Sequence, residues 1–373
     1  MDWFERITGF PEDDYASTKA RLEVDGQFLI SKVNGNRHRV GQLEVVTLQN
    51  LRARRARSKT KGCNTSVHCL AGDARELHAR PEFAGATFQV ASQFNLLEMV
   101  GPSITPEDGV TRYIGDRTQG PACAIAAGAG TIYRNYFAPV GGGLGQTRHR
   151  QIDALAPLGE ALAKRLGRPM QSLWTMRNGY ALCTVDGLSA ICRHLQRADE
   201  QELDHLRGML AVGLHRDVAV TDVCGAEPPV VTQVYCSALP IAYSGIDPSA
   251  WEPFARLVLE SAYEATLLAA AEQTQRGVTP TVLLTRLGGG AFGNPYPRPR
   301  DRRLSRKTRA AVGKPSGLAT AVPAVSRADR LERKRPANWE AGNGSTTVTA
   351  VANRMMLAQH RPSSISRWLS QPG

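Results

Sequence analysis

The stretch TVLLTRLGGGAFGN, residues 281–294, decides how the fold is read. Its first half is an apolar, β-branched run of strand length, and it ends in glycines at Gly288, Gly289, Gly290 and Gly293. Upstream, over 251–276, Phe254, Leu257, Val258, Ala262, Ala265, Leu268 and Ala269 recur at helical spacing. Pro253 suits the first turn of that helix, and Asp247-Pro248-Ser249 precedes it as a start signal. Before the helix, QVYCSAL (233–239) is another short apolar run. Strand, long amphipathic helix and strand make a crossover unit, so the spacing predicts an α/β class.

The same rhythm extends outward. VHCLAGD (67–73), ATFQVAS (86–92) and ALCTV (181–185) read as strands, and VGQLEVVTLQNL (40–51) as a strand or short helix. Helical patterns lie between them at 123–133, 151–166 and 188–197. The expected architecture is a three-layer α/β/α domain with a mostly parallel central sheet.

Composition and charge bound what such a domain does. The chain has 373 residues, 42% of them hydrophobic, enough for a sizeable core. No run of about 18 apolar residues occurs, and the opening MDWFERITGF is not a secretory leader, so neither a membrane span nor a membrane partner is expected. The cysteines, Cys63, Cys69, Cys123, Cys183, Cys192, Cys224 and Cys236, are scattered and odd in number, which reads as reduced thiols in a cytoplasmic protein. Neither they nor His68, His78 and His215 have metal-ligand or triad spacing, and no metal or cofactor is expected.

The net charge of +12 looks like a nucleic-acid signal until it is located. Residues 295–373 carry 16 Lys and Arg against 4 Asp and Glu, and residues 1–294 carry 30 of each sign. The surplus belongs to a tail rich in Arg, Pro, Gly, Ser and Thr, for which disorder is the expectation. That tail is either a native regulatory or nucleic-acid-binding segment or an out-of-frame translation. A second basic cluster, Arg52, Arg54, Arg55, Arg57, Lys59 and Lys61, reads as a solvated linker or helix face. Three regions follow: an N-terminal extension packing on the core (1–62), a ligand-binding domain (63–294) and the tail (295–373).

Four segments of the middle region carry chemistry. In GGGAFGN, glycines permit positive φ and close approach of backbone N–H groups to an anion, which suits a diphosphate as well as it suits a plain tight turn. Asp73 and Ala74 close an early strand, where Asp73 either caps a helix, accepts a hydrogen bond from an adenine amine, or does both. Ser92, Gln93, Asn95 and Glu98 form a polar set suited to a ribose, and Glu98 is equally a structural partner for an arginine such as Arg134. In PEDGVTRYIGDRTQGPACAIA (106–126), Glu107, Asp108 and Asp116 precede a helix start at Gln119-Gly120-Pro121 that is able to turn its N–H groups to a phosphate. WTMRNGY (174–180) suits either a pocket wall or a core tryptophan beside an Asn-Gly turn.

Together these segments resemble the macrodomain family of ADP-ribose-binding modules. Asp73 matches the Asp after the first core strand, ASQFN the strand ending in an Asn-bearing loop, and GGGAFGN the second, Gly-x-Phe/Tyr-Gly loop. QFNLLEM, PEDGVTRYIGDRTQGPACAIA, CSALPIAYSG and LLTRLGGGAFGN are closer to a divergent branch that removes ADP-ribose from arginine, and MDWFERITGF is similar to an added N-terminal element of that branch. The resemblance covers roughly residues 67–294. It departs from the family in lacking an Asn-Ala-Ala-Asn signature and, after Asn294, the expected last helix and strand.

The resemblance implies ADP-ribose or an ADP-ribosylated protein as partner. Its ligand-binding residues would be Asp73, Ala74, Gln93, Asn95, Gln119, Gly120, Gly288, Gly289, Gly290, Ala291, Phe292, Gly293 and Asn294. Glu107, Asp108 and Asp116 would be catalytic. Cleaving an arginine N-glycoside needs one carboxylate to stabilise an oxocarbenium-like state and another to activate water, and the guanidine leaves without a strong general acid. Two other functions stay open: a reader that binds ADP-ribose without cleaving it, and a nucleic-acid-binding protein acting through the tail.

Overall fold

The computed structural model describes residues 1–57, 65–223, 225, 227–294 and 346–353. The chain opens with α1 (Trp3–Thr8), α2 (Tyr15–Ala20) and the strands β1 (Leu22–Asp25), β2 (Phe28–Ser31) and β3 (Arg37–Arg39). It continues through β4 (Gln42–Thr47), α3 (Leu48–Arg57), β5 (Thr65–Gly72), α4 (Ala74–His78), β6 (Thr87–Ala91), α5 (Gln119–Ala126) and α6 (Gly128–Tyr136). A small hairpin, β7 (Pro139–Val140) and β8 (Gly143–Leu144), leads to α7 (Ala156–Leu166), and then come β9 (Trp174–Arg177), β10 (Tyr180–Cys183), α8 (Val185–Arg197) and α9 (Glu200–Met209). The last elements are β11 (Ala211–Ala219), β12 (Val230–Cys236), α10 (Glu252–Gln275), β13 (Thr281–Thr285) and β14 (Thr346–Asn353).

Seven strands form the main sheet in the order β4-β11-β12-β6-β13-β14-β5. The run from β12 to β5 is parallel, and β11 pairs antiparallel with both β12 and β4. Helices cover both faces because side chains alternate along each strand. On β6, Phe88 stacks on His78 of α4 at 3.7 Å between ring centroids, and its neighbour Gln89 donates to Thr266 of α10 at 3.1 Å. On β12, Tyr235 lies against Arg134 of α6, and Cys236 meets Thr266 of α10. The class is therefore mixed α/β, with the parallel strands expected from the crossover unit.

Several elements differ from the sequence reading. The Ala- and Gly-rich helix breaks at Ala127, whose ψ of 54° leaves the helical region, and Thr221 Oγ1 accepts from the freed Gly128 N–H at 2.8 Å. The break lets Gly128 sit against Trp3 and Ile7. β11 has no counterpart in the sequence reading, because Arg216 and Asp217 interrupt its apolar pattern at a bulge where Asp217 takes φ 57°. The basic helix α3 is solvated only in part: Arg57 is exposed, but Arg52 makes paired bonds to Glu264 at 2.6 and 2.7 Å, and Arg54 pairs with Glu44. Lys59 and Lys61 lie outside the described residues.

The tail also differs. Disorder was the expectation throughout 295–373, and a missing last strand with it, whereas Thr346–Asn353 is β14, paired with β13 on one side and β5 on the other. Thr346, Thr347, Val348, Thr349 and Val351 are β-branched, and a slot between two parallel strands leaves unmade hydrogen bonds on both edges unless a strand fills it. The rest of the tail lies outside the described residues.

The N-terminal segment packs where it matters for the site. Trp3, Phe4, Ile7, Phe10, Leu22 and Leu29 form one apolar cluster with Val110 and Tyr113 of the acidic loop and with Ile125 and Ile132 of the broken helix. β4 continues from this segment as an edge strand of the main sheet.

Candidate functional site

Because β6, β12 and β13 run parallel, their C-terminal ends meet on one edge of the sheet, where open α/β sheets form clefts. Ala91 and Ser92 at the end of β6, Ala238 after β12, and Thr285 to Gly288 at the end of β13 line such a cleft, of about 660 Å³ with its open mouth included. Gln119, Gly120 and Pro121 at the start of α5 also line it, with Asp116 and Thr118 just before them. Tyr180, Tyr243 and Phe292 form an aromatic group at this cleft, with ring centroids between 5.1 and 5.8 Å apart.

The glycine turn contributes Gly288, Gly290, Ala291 and Phe292 to the cleft. Gly288 has φ 72°, and a Cβ there would collide with that of Ala238, so only glycine fits. The turn is closed by Gly293 N–H to the Gly290 carbonyl at 3.0 Å and Asn294 N–H to the Gly288 carbonyl at 2.9 Å, while Gly289 N–H turns back to the Arg286 carbonyl at 3.3 Å. Among the described residues no acceptor meets the N–H groups of Gly290, Ala291 and Phe292. Asn294 stands behind the turn: its buried amide donates to the Leu239 carbonyl at 2.7 Å and holds the turn to the segment after β12.

The ribose-like polar set divides. Gln93 lines the cleft, but its amide staples the following loop, donating to the Met99 carbonyl at 3.1 Å and accepting from Met99 N–H at 2.6 Å. Asn95 is fully buried behind the wall, bonded to Gln151 at 2.9 Å and to Leu97 N–H at 3.1 Å. Gln119 lies along β6, accepting from Ala91 N–H and donating to the Gln89 carbonyl, both at 2.9 Å. Gly120 is required by closeness: a Cβ there would strike the Ala91 carbonyl and Glu98 Oε2. The Asn178-Gly179 turn and a buried Trp174 fit the WTMRNGY reading, and Tyr180 of that motif is in the wall.

Asp73 caps α4, accepting from Arg75 N–H at 2.8 Å and Glu76 N–H at 3.3 Å. Ala74 lines a smaller neighbouring hollow that shares Gln119 and Thr285 with the main cleft. These two residues are therefore next to the cleft and not in its wall.

The three acids do not act as a cluster. Asp108 caps its own turn, accepting from Thr105 N–H at 2.8 Å and from Thr105 Oγ1 at 3.0 Å, and those bonds lower its pKa. Glu107 accepts from Arg148 N–H at 2.9 Å. Neither is in the cleft wall, and only Asp116 of the three is; its Oδ1 accepts from Thr118 N–H at 2.8 Å.

Glu98 is the cleft carboxyl that the sequence left outside the catalytic set. It is 4% exposed, and its Oε1 has no hydrogen-bond partner among the described residues. Burial pushes its carboxyl well above the usual range; the Arg134 charge opposes that shift and the Asp116 charge adds to it. Arg134 is not its bonded partner. That guanidinium donates to the Leu96 carbonyl at 3.1 Å and to Thr131 at 2.8 Å, and it lies 3.8 Å from the Tyr235 ring centroid.

No protein-family model, curated protein or solved structure matches this chain.

Proposed function

We propose that the cleft binds ADP-ribose and that the protein hydrolyses mono-ADP-ribose from arginine side chains, as the resemblance to the arginine-directed branch of the macrodomain family implies. One observation carries this reading: the glycine turn after β13 and the first turn of α5 line a single cleft at the ends of parallel strands. N–H groups on a glycine turn and at a helix start suit the two phosphates of a diphosphate. The aromatic group of Tyr180, Tyr243 and Phe292 offers apolar wall for a sugar or a base.

In the reaction the bond from the anomeric carbon to the guanidinium nitrogen breaks, and neutral guanidine leaves an oxocarbenium-like centre. Water adds to that carbon and gives its proton to a carboxylate, from which the guanidine recovers it. Asp116 takes this role, since Glu107 and Asp108 are committed to Arg148 and Thr105. Those commitments also favour a second reading, a reader that binds ADP-ribose without cleaving it.

The test is a mono-ADP-ribosylated arginine peptide incubated with the protein and followed for free ADP-ribose, with calorimetry of ADP-ribose alone. Release supports the hydrolase, binding without release supports the reader, and neither result leaves either standing.

A further inference from the structure

We propose that Glu98 is the anchor for the guanidinium of the arginine-linked substrate, its unpaired buried carboxyl waiting in the cleft wall beside Asp116 for a cation that the free protein does not supply. This rests on the reading of the cleft as an ADP-ribose site and adds what fixes the linkage.

A buried carboxyl oxygen with no partner is expensive in a folded protein, and such groups are retained where a ligand completes them. Its neighbourhood offers no completion. Arg134, whose charge acts on it, gives N–H groups to Leu96, Thr131 and His215 and its face to Tyr235 and makes no bond to it. Glu98 is also held in place and not left to swing. Its own N–H donates to Tyr113 Oη at 3.0 Å, and Oε2 lies so near Gly120 that no side chain fits between them.

An arginine guanidinium is planar, always charged and able to give paired bonds to a carboxylate, which matches a fixed carboxyl whose buried Oε1 has no partner among the described residues. A serine or aspartate linkage brings no such donor. The site would therefore separate arginine-linked from oxygen-linked ADP-ribose by the charge it completes.

The groups facing Glu98 are Arg134 from α6, Asp116 and Tyr113 from the acidic loop, Cys123 from α5, Tyr180 from β10 and Tyr235 from β12. Burial raises the thiol and the three phenols, so these stay neutral between about pH 6 and pH 8. Glu98 has to lose its proton to hold a guanidinium, so rising pH should tighten arginine-linked ligand more than ADP-ribose.

The experiment measures the affinity of ADP-ribosylarginine and of ADP-ribose, by rapid competition against a fluorescent ADP-ribose analogue, for wild type and Glu98→Gln. The expected result is a preference for the arginine conjugate that grows in wild type as pH rises above the ordinary carboxyl value of 4.5. In the variant it should fall by roughly 10-fold to 100-fold, the size of a charge-assisted bond, and become flat with pH. ADP-ribose affinity should stay within about threefold in a folded Glu98→Gln protein. A merely structural Glu98 would move both ligands together. Equal affinities for the two ligands in wild type, or a preference unchanged in the variant, overturns the inference alone. No binding of ADP-ribose by wild type removes the cleft reading and this inference with it. Should the variant not fold, the wild-type pH dependence decides, and a flat preference overturns the inference.

Discussion

Single side chains separate chemistry from support at this site. Asp108→Asn should leave turnover within a few-fold, because Asp108 serves a turn that still keeps its other contacts, whereas Asp116→Asn should lose on the order of 10²-fold, as removal of a general base does. Steady-state release of ADP-ribose from an arginine-linked peptide separates the two, and equal losses would return Asp108 to the chemistry. Gly120 tests the packing of the same wall. Gly120→Ala puts a methyl against the Ala91 carbonyl, which is backbone and cannot swing aside, so about 1–3 kcal/mol of stability should be lost in a urea titration. Unchanged stability would mean that β6 and α5 separate more easily than their contact implies. Glu98 shows how a residue is misjudged from sequence. The sequence reads it either as one of a polar set for a ribose or as a partner for Arg134, and its carboxyl lines the cleft with no bond to that arginine.

At the scale of elements, the acidic loop is held from the far N-terminus. Glu12, between α1 and α2, accepts from Val110 N–H at 2.8 Å, Thr111 N–H at 2.6 Å, Thr111 Oγ1 at 2.5 Å and Tyr136 Oη at 2.7 Å. One carboxylate thus ties the loop that carries Asp116 to α6. Glu12→Ala should leave those N–H groups unmet, cost about 2–3 kcal/mol, and speed amide exchange at Val110 and Thr111 before other sites. Exchange that rises evenly over the chain would assign Glu12 to general stability. The glycine turn is the other positioning element. Gly290→Val should weaken ADP-ribose at least 10-fold in calorimetry with circular dichroism unchanged, because the bulk enters the cleft and not the core. These elements also show what the sequence made legible. β5, β6, β12, β13 and α10 followed from apolar runs and helical spacing, since burial writes itself into such periods. The glycine turn followed from composition. The role of Glu12 did not, because a long-range bond between a carboxylate and backbone N–H groups leaves no periodic trace, and for the same reason the sequence did not show that Asp116 lines the cleft and Glu107 and Asp108 do not: a run of acids does not say which of them turns inward.

For the whole molecule, pH acts through opposed groups. Burial lowers the pKa of His78 to about 4 and of His215 to about 3, below the ordinary 6.5. The unfolded chain therefore takes up protons first as pH falls, so the stability these two contribute is complete above about 6.5 and is lost toward pH 4 and pH 3. Glu98 has the opposite sign. Its raised carboxyl holds a proton that the unfolded chain gives up above about 4.5, so it costs stability as pH rises. Thermal unfolding of wild type should show Tm falling between pH 6.5 and pH 4, and Glu98→Gln should raise Tm at pH 8. A flat acid limb in Glu98→Gln, which lacks the opposing carboxyl, would mean that the two buried histidines are charged in the folded state.

β14 brings together parts of the chain that are made at very different times. Thr65 of β5 and Thr346 of β14 are paired, about 280 residues apart in sequence. Contacts of such long range close late and slowly, and a chain leaving the ribosome offers β5 no partner on that side until residues 346–353 emerge. Nascent chains stopped before residue 346 would then hold β5 in a form open to added protease, and completed chains would protect it. The slot between β13 and β5 would be filled long after both were made, by the segment whose composition promised it least.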